Sequence, residues 1–175
     1  MPDPLRQISL TFAPEEDRLL LRIVTAGRSA YKLWLTRRVT GRLAEALDGA
    51  ADQGAASHGG TTDDARQAVR DFQREAAETG VDRTQPYDDA EAAHPLGEAP
   101  VLVIDIRTDA SGPQPTLSLD LKDKPAITLG LEQNLVHTLS GLLASGSSRA
   151  GWGLHEAEGE RLASAENQRR GGAVH

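Results

Sequence analysis

The sequence predicts an α+β protein made of two similar βββα units, an internal repeat that packs antiparallel strands against helices around one core. Two observations support this fold class. Alternating apolar residues, typical of strands, twice give way to apolar residues at helical spacing. In addition, the segment Tyr31 to Leu47 aligns without gaps with the segment Ile127 to Leu143. The apolar residues match in this alignment, and the polar residues do not. The alternative explanation of this overlay is a chance match of leucines.

The repeat implies that the two units share a core. A one-sided sheet and one amphipathic helix cannot bury both of their apolar surfaces within one unit. We therefore expect a single domain over residues 1–155, with unit one at 5–49, a flexible linker and a helix at 50–100, and unit two at 101–146. Almost no apolar residue follows His155, which predicts a disordered tail at 156–175.

Unit one begins with three predicted strands that form a meander. Turns rich in polar or small residues, at 14–17 and 26–29, separate the strands. The apolar residues that alternate with polar ones along these strands are Ile8, Leu10, Phe12, Leu19, Leu21, Ile23, Tyr31, Leu33 and Leu35. At Thr36, a favoured N-cap residue, the period becomes helical through Val39, Leu43 and Leu47, and Gly49 is predicted to end the helix.

The central part of the chain is poor in apolar residues. Residues 49–62 are small and flexible in composition and predict a linker. Residues 63–79 predict a helix with a thin apolar side, which either docks on the core through Phe72 or stays solvated. Residues 81–100 contain three prolines and predict irregular structure.

Unit two repeats the order of unit one. Strands are predicted at Val101 to Ile106, around Leu117 to Leu121, and around Ile127 to Leu131, with turns at 108–115 and 122–125 between them. Leu135, Leu139 and Leu143 then predict a helix that ends at Ser145-Gly146. Trp152 and Leu154 are expected to anchor the chain on the core.

Charge and composition limit the function classes. The chain of 175 residues carries 19 Lys and Arg against 26 Asp and Glu, a formal net charge of -7, so phosphate backbones and anionic membranes should repel it. It contains no cysteine, which excludes disulfides and thiolate chemistry. No apolar stretch approaches the ~20 residues that span a bilayer, so we expect a cytoplasmic protein without membrane association.

The sequence contains no recognisable catalytic or cofactor-binding motif. The five histidines are scattered, and none has the helical i, i+4 spacing of a zinc site. Gly-x-Ser-x-Gly and the glycine patterns that bind phosphate are absent. We therefore predict no metal, no cofactor and no catalytic residue, and we lean away from an enzyme, with a site assembled from distant residues as a distant alternative.

Four residues distinguish the first unit from the second. Arg37, Arg38 and Arg42 lie in the first turns of the predicted helix, whereas the equivalent positions of unit two hold the uncharged residues Gln133, Asn134 and Thr138. Either Arg38 and Arg42 share Glu45 and lay their stems over the core, or the three arginines form a site for an anion or an acidic partner.

Trp34 is the fourth of these residues, and unit two has Gly130 in its place. It should face away from Leu33 and Leu35. On that side of the sheet it is either exposed, covered by the helix at 63–79, or part of a subunit contact.

In element order alone, the tandem of antiparallel strands each closed by a helix resembles the PUR and Whirly proteins, whose repeats usually have four strands. That resemblance implies binding of single-stranded nucleic acid and dimerisation. From the residues we predict a non-enzymatic protein-binding or assembly module with a protein partner, and homodimerisation is left open. The alternative is a single-stranded nucleic-acid-binding protein that uses the arginines, although the net charge disfavours nucleic acid as a partner.

Overall fold

The computed structural model describes residues 5–57, 90–109, 111–112 and 114–154. It confirms an α+β fold with six strands in one mixed sheet and two helices. The elements, in chain order, are β1 (Leu5–Ala13), β2 (Arg18–Thr25), β3 (Ala30–Leu35), α1 (Arg37–Ser57), β4 (Val101–Asp109), β5 (Thr116–Leu121), β6 (Lys124–Gly130) and α2 (Gln133–Arg149). None of the described helices is long and apolar enough to cross a membrane.

The strands lie in the sheet in the order of the chain, from β1 to β6. Neighbours within each half are antiparallel, as predicted. The halves meet in a parallel pair, β3 with β4, which is aligned only at Leu33 with Val101 and at Trp34 with Leu102. We call this short junction the seam. Ala93 extends the parallel alignment, because the Ala30 N–H donates to its carbonyl at 2.8 Å.

Alternation along the strands defines two faces of the sheet. The inner face contributes the core, in which Leu19, Ile23, Leu33, Leu117 and Leu119 have no exposed surface. The buried residues of both halves form one cluster with those of the helices. The helices are exchanged between the halves, since α1 contacts β4, α2 contacts β1, and the two helices contact each other. Neither helix therefore packs only on its own half.

The predicted end of the first helix at Gly49 is wrong, and residues 50–57 are helical rather than part of a linker. Ala50 and Ala51 are buried in the core cluster, three or four residues after Leu47. They continue the helical spacing of the core contacts, and alanine has the highest helix propensity of all residues. Gly49 lies on the exposed side, where an added Cβ would have nothing within 4 Å.

The predicted end of the second helix is wrong as well, because α2 continues through Ser145 and Gly146 to Arg149. Gly146 is buried, and an added Cβ there would lie 2.7 Å from Leu10 Cδ2 and 3.2 Å from Leu19 Cδ2. This glycine thus permits close packing of α2 on the sheet instead of ending the helix. The strands also extend into the predicted turns, since β4 includes Thr108 and Asp109 and β6 begins at Lys124.

Trp152 anchors the end of the described chain on β1, as predicted. Its ring packs edge-on against Phe12, with centroids 6.1 Å apart, and its Nε1–H donates to Asp17 Oδ1 at 3.3 Å. Only 5% of its surface is exposed. The predicted helix at 63–79 with Phe72, most of the predicted linker, and the predicted tail at 156–175 lie outside the described residues.

Candidate binding site

Trp34 lies on the outer face of the sheet, opposite the inner face that contributes the core. Its cross-strand neighbours are Leu20 on β2 and Leu102 on β4. All three side chains are half-buried. We call Leu20, Trp34 and Leu102 the apolar row; it runs across three strands at the centre of the sheet and crosses the seam.

The apolar row lies close to the largest exposed apolar side chain among the described residues. Ile104, two residues after Leu102, is 44% exposed. It is the extra residue of an irregularity in β4, where Val103 pairs with Leu121 but Asp105 already pairs with Asp120. An inserted residue of this kind bends its strand and disturbs the alternation of side chains.

The three arginines lie at the start of α1, and each one reaches another part of the chain. Arg37 Nη2–H donates to the carbonyl oxygen of Trp152 at 2.9 Å. Arg38 Nη2–H donates to the carbonyl oxygen of Ile104 at 3.4 Å. Arg42 forms an ion pair with Asp105. The expected sharing of Glu45 by Arg38 and Arg42 is wrong, because the acceptors found for these two side chains lie on β4.

The start of α1 explains this arrangement. Thr36 precedes the helix, and its Oγ1 accepts from the Val39 N–H at 3.4 Å, which caps the first turn as predicted. β3 ends at Leu35, level with Val103, so β4 continues beyond this point without β3 beside it. Arg38 and Arg42 reach the part of β4 that β3 does not cover, and they link the two halves there.

Asp105 is held in its ionised form at this link. The backbone N–H of Ile106 donates to its carboxylate at 2.8 Å, which lowers the pKa of Asp105 below its ordinary value of 3.8, and the positive charge of Arg42 lowers it further. On the same sheet, the hydrogen bond to Asp120 raises the pKa of Arg107, and the hydrogen bonds from Ser111 lower the pKa of Asp109. These shifts all favour the charged forms of exposed groups.

The structure thus separates Trp34, which lies in the seam, from the three arginines at the start of α1. Trp34 joins the apolar row, Arg38 and Arg42 join the link between α1 and β4, and Arg37 bonds to the carbonyl of Trp152 instead. Sequence reasoning missed Leu20, Leu102 and Asp105, which lie far from these residues along the chain. A signal existed only for Asp105, which interrupts the apolar run of β4 with a charge.

Among the described residues, no three His, Asp or Glu side chains come together in a group that could hold a metal ion. Comparison with known proteins returned no match to the chain, whether among protein-family models, curated proteins or solved structures.

Proposed function

We propose that the protein is a non-enzymatic protein-binding or assembly module of the cytoplasm, and that it holds an apolar segment of a partner protein against the apolar row. The observation that carries this proposal is a half-buried tryptophan at the centre of a sheet face that lies opposite the core. Tryptophan is over-represented among the residues that dominate binding energy at protein interfaces. Ile104, two residues after Leu102 on β4, adds an exposed apolar side chain.

We also propose that the two halves are an internal repeat. Both halves have three antiparallel strands followed by a helix, and each helix lies against the first strand of the other half. Core positions agree in pairs, such as Leu33 with Leu129 and Leu43 with Leu139. At the position that matches Trp34, Gly130 instead lies under the side chain of Gln114. Binding should therefore depend on residues that the second half does not repeat.

Affinity capture with tagged protein tests the proposed function. A partner retained by the wild-type chain should be lost with Trp34→Ala and kept with Thr128→Ala, an exposed residue on the outer surface of β6. The captured protein must then bind purified wild-type chain as a pure component, with at least about a tenfold loss of affinity for Trp34→Ala, typical of an interface hot spot. Equal binding by both variants would contradict the proposal.

The two other hypotheses for Trp34 predict different results. If residues 63–79 cover the row, their replacement by a Gly-Ser segment of equal length increases quenching of Trp34 fluorescence by acrylamide. If a second copy covers it, Trp34→Ala lowers the apparent mass in sedimentation. If residues 63–79 or a second copy cover the row, a separate partner protein would not be needed to explain the burial of Trp34.

The alternative function, binding of single-stranded nucleic acid through the arginine edge, has its own test. Arg37 and Arg38 are exposed, and each guanidinium has five N–H donors, so the contacts found here leave donors for phosphate. Arg38→Glu should abolish salt-dependent binding of oligonucleotides, whereas Arg28→Glu, at an exposed arginine of the β2–β3 turn, should not. Absence of binding by the wild-type chain at low salt would exclude this alternative. An enzyme whose site is assembled from distant residues is the third hypothesis.

A further inference from the structure

The strands of the first half carry positive charge, although the chain as a whole is acidic. β1, β2 and β3 contain four basic residues and no Asp or Glu, whereas β4, β5 and β6 contain three Asp and two basic residues. The formal net charge of the whole chain is -7. The sheet is therefore basic in the half that contains Trp34.

Two of these cations lie on the outer face beside the apolar row. Arg22 lies opposite Lys32 across β2 and β3, two residues after Leu20 and two residues before Trp34 respectively. Side chains two residues apart on a strand share a face and lie about 7 Å from each other. Both cations are half-buried. We call Arg22 and Lys32 the basic pair; it runs parallel to the apolar row on the same face.

The basic pair places like charges directly opposite each other, an arrangement that weakens a sheet. At the corresponding place in the second half, two residues before Gly130, Ser118 lies opposite Thr128, and their hydroxyl groups hydrogen-bond at 3.1 Å. The second half thus holds a neutral, hydrogen-bonded pair where the first half holds two cations. Positive charge concentrated beside Trp34 favours a negatively charged partner.

We propose that the partner segment held by the apolar row is acidic. Its apolar side chains lie on Leu20, Trp34 and Leu102, and Asp or Glu side chains on one flank bond to the basic pair, about 7 Å away. A guanidinium has five N–H donors and an ammonium has three, so each cation can bond to a carboxylate of the partner in addition to acceptors within the chain. This inference rests on the proposed function, because it names the chemistry of the partner for the same surface.

The apolar row favours a protein segment over nucleic acid as the source of the negative charge. Single-stranded nucleic acid is held by successive aromatic side chains on which its bases stack. Trp34 is the one aromatic residue of the row, and Leu20 and Leu102 have no ring. A segment that combines apolar and acidic residues matches the apolar row and the basic pair together.

Selection from a library of short random peptides displayed on phage tests this inference. Peptides that bind the wild-type chain and not Trp34→Ala should combine apolar residues with more Asp and Glu than the starting library contains. Selection on Arg22→Glu with Lys32→Glu should instead enrich Lys and Arg. Peptides that require Trp34 but show no excess of acidic residues would overturn the inference and leave the proposed function standing. Failure to select any peptide that requires Trp34 would remove the proposed function, and this inference with it.

The affinity of one selected acidic peptide, measured by fluorescence anisotropy, tests the role of the basic pair. Arg22→Gln with Lys32→Gln should weaken binding by about tenfold or more at low salt, and the difference from the wild-type chain should shrink at about 0.5 M salt. Circular dichroism shows whether this variant is folded. Unchanged affinity of the folded variant overturns the inference.

The matched control is Arg28→Gln with Arg149→Gln, which removes the same charge at two exposed arginines, one in the β2–β3 turn and one at the end of α2. It should bind the peptide as the wild-type chain does. An equal loss of affinity in the control would show that net charge, and not the basic pair, attracts the peptide. Oligothymidylate that displaces the peptide and requires Lys32 would assign the surface to nucleic acid and would also overturn the inference.

Discussion

Gly146 lies at the point where α2 approaches the sheet most closely. Leu10 of β1 and Leu19 of β2 occupy the space into which a larger side chain would project. Leu19 is completely buried, so it cannot move aside without disturbing the core. The other glycine in the middle of α2, Gly141, is exposed, and an added Cβ there has nothing within 4 Å.

Alanine at these two glycines should have opposite effects. We expect Gly141→Ala to raise the free energy of unfolding by about 0.5–1 kcal/mol, because alanine favours the helix. Gly146→Ala gains the same helix propensity but overpacks the core, and should be less stable than Gly141→Ala by about 1–3 kcal/mol. Urea denaturation of both variants measures the difference. Equal stabilisation by both changes would mean that α2 does not pack closely at Gly146.

The two tryptophans should also differ in solvent access. Trp152 is only 5% exposed, whereas Trp34 is half-buried on the outer face. Fluorescence of Trp34→Phe, which retains Trp152, should be weakly quenched by acrylamide, and fluorescence of Trp152→Phe should be quenched more strongly. The reverse order would place Trp34 in the deeper environment and would remove the main support for the apolar row as a binding surface.

Single residues were predicted from the sequence where the chain itself supplies the context. Alternation identified the buried side chains of β2 and β3, and the change from alternating to helical spacing at Thr36 identified the helix cap. The acceptors of Arg38 and Arg42 were not predicted, because Asp105 lies 63 residues from Arg42 and comes near it only through the fold. Close packing at Gly146 was hidden for the same reason, since its neighbour Leu10 is in β1.

At the scale of elements, the six strands and the start of α1 were predicted, whereas the end of β4, the start of β6 and the ends of both helices were not. Both helix errors came from reading glycine as a stop signal. Glycine at a helix end and glycine inside a helix look alike in sequence, and the neighbours that distinguish them are supplied by tertiary packing. The buried Ala50 and Ala51 show that α1 continues because its last turns still have core to contact.

Gly49→Ala tests whether α1 continues past this position. In a helix with open space around the Cβ, the change should raise the free energy of unfolding by about 0.5–1 kcal/mol and increase the helical signal in circular dichroism. If residues 49–57 were a flexible linker, alanine would stabilise the chain little, and the helical signal would not increase. Ala51→Gly, at a buried position of the same helix, is the companion variant and should lower stability.

At the scale of the whole molecule, the two halves are joined by the short seam, the exchanged helices and the ion pair of Arg42 with Asp105. A parallel junction between otherwise antiparallel halves could not be predicted from sequence. About 65 residues separate β3 from β4, so the direction in which the two strands pair depends on the path of that connection. The residue pattern of each strand is the same whether the pair is parallel or antiparallel. The sequence therefore predicts the elements of each half more completely than their arrangement.

The ionised carboxylate of Asp105, at the link between α1 and β4, should make stability depend on pH. The pKa of Asp105 is lower in the folded chain than its ordinary value of 3.8, chiefly because the Ile106 N–H donates to its carboxylate and also because Arg42 is close, so these interactions stabilise the fold above that pH. This contribution is lost as the pH falls through the folded pKa and the carboxylate becomes protonated. Asp105→Asn should reduce the loss of stability in acid, measured by urea denaturation between neutral pH and about pH 2.

The control for this prediction is Asp123→Asn, in the exposed turn between β5 and β6. Asp123 has a φ of 57°, which asparagine adopts as readily as aspartate. The control should therefore keep the wild-type dependence on pH. An unchanged acid response in Asp105→Asn would show that the ionised carboxylate of Asp105 does not contribute to the stability of the fold.

The exchange of helices has a consequence for how the chain can be divided. The helix of each half packs on the first strand of the other half. Neither half can therefore bury its own apolar residues when it is alone. Two separately expressed fragments, 1–57 and 90–175, should remain poorly ordered singly and fold together on mixing. Such fragment complementation would make the chain a two-part reporter, in which association is read out as the gain of a folded core.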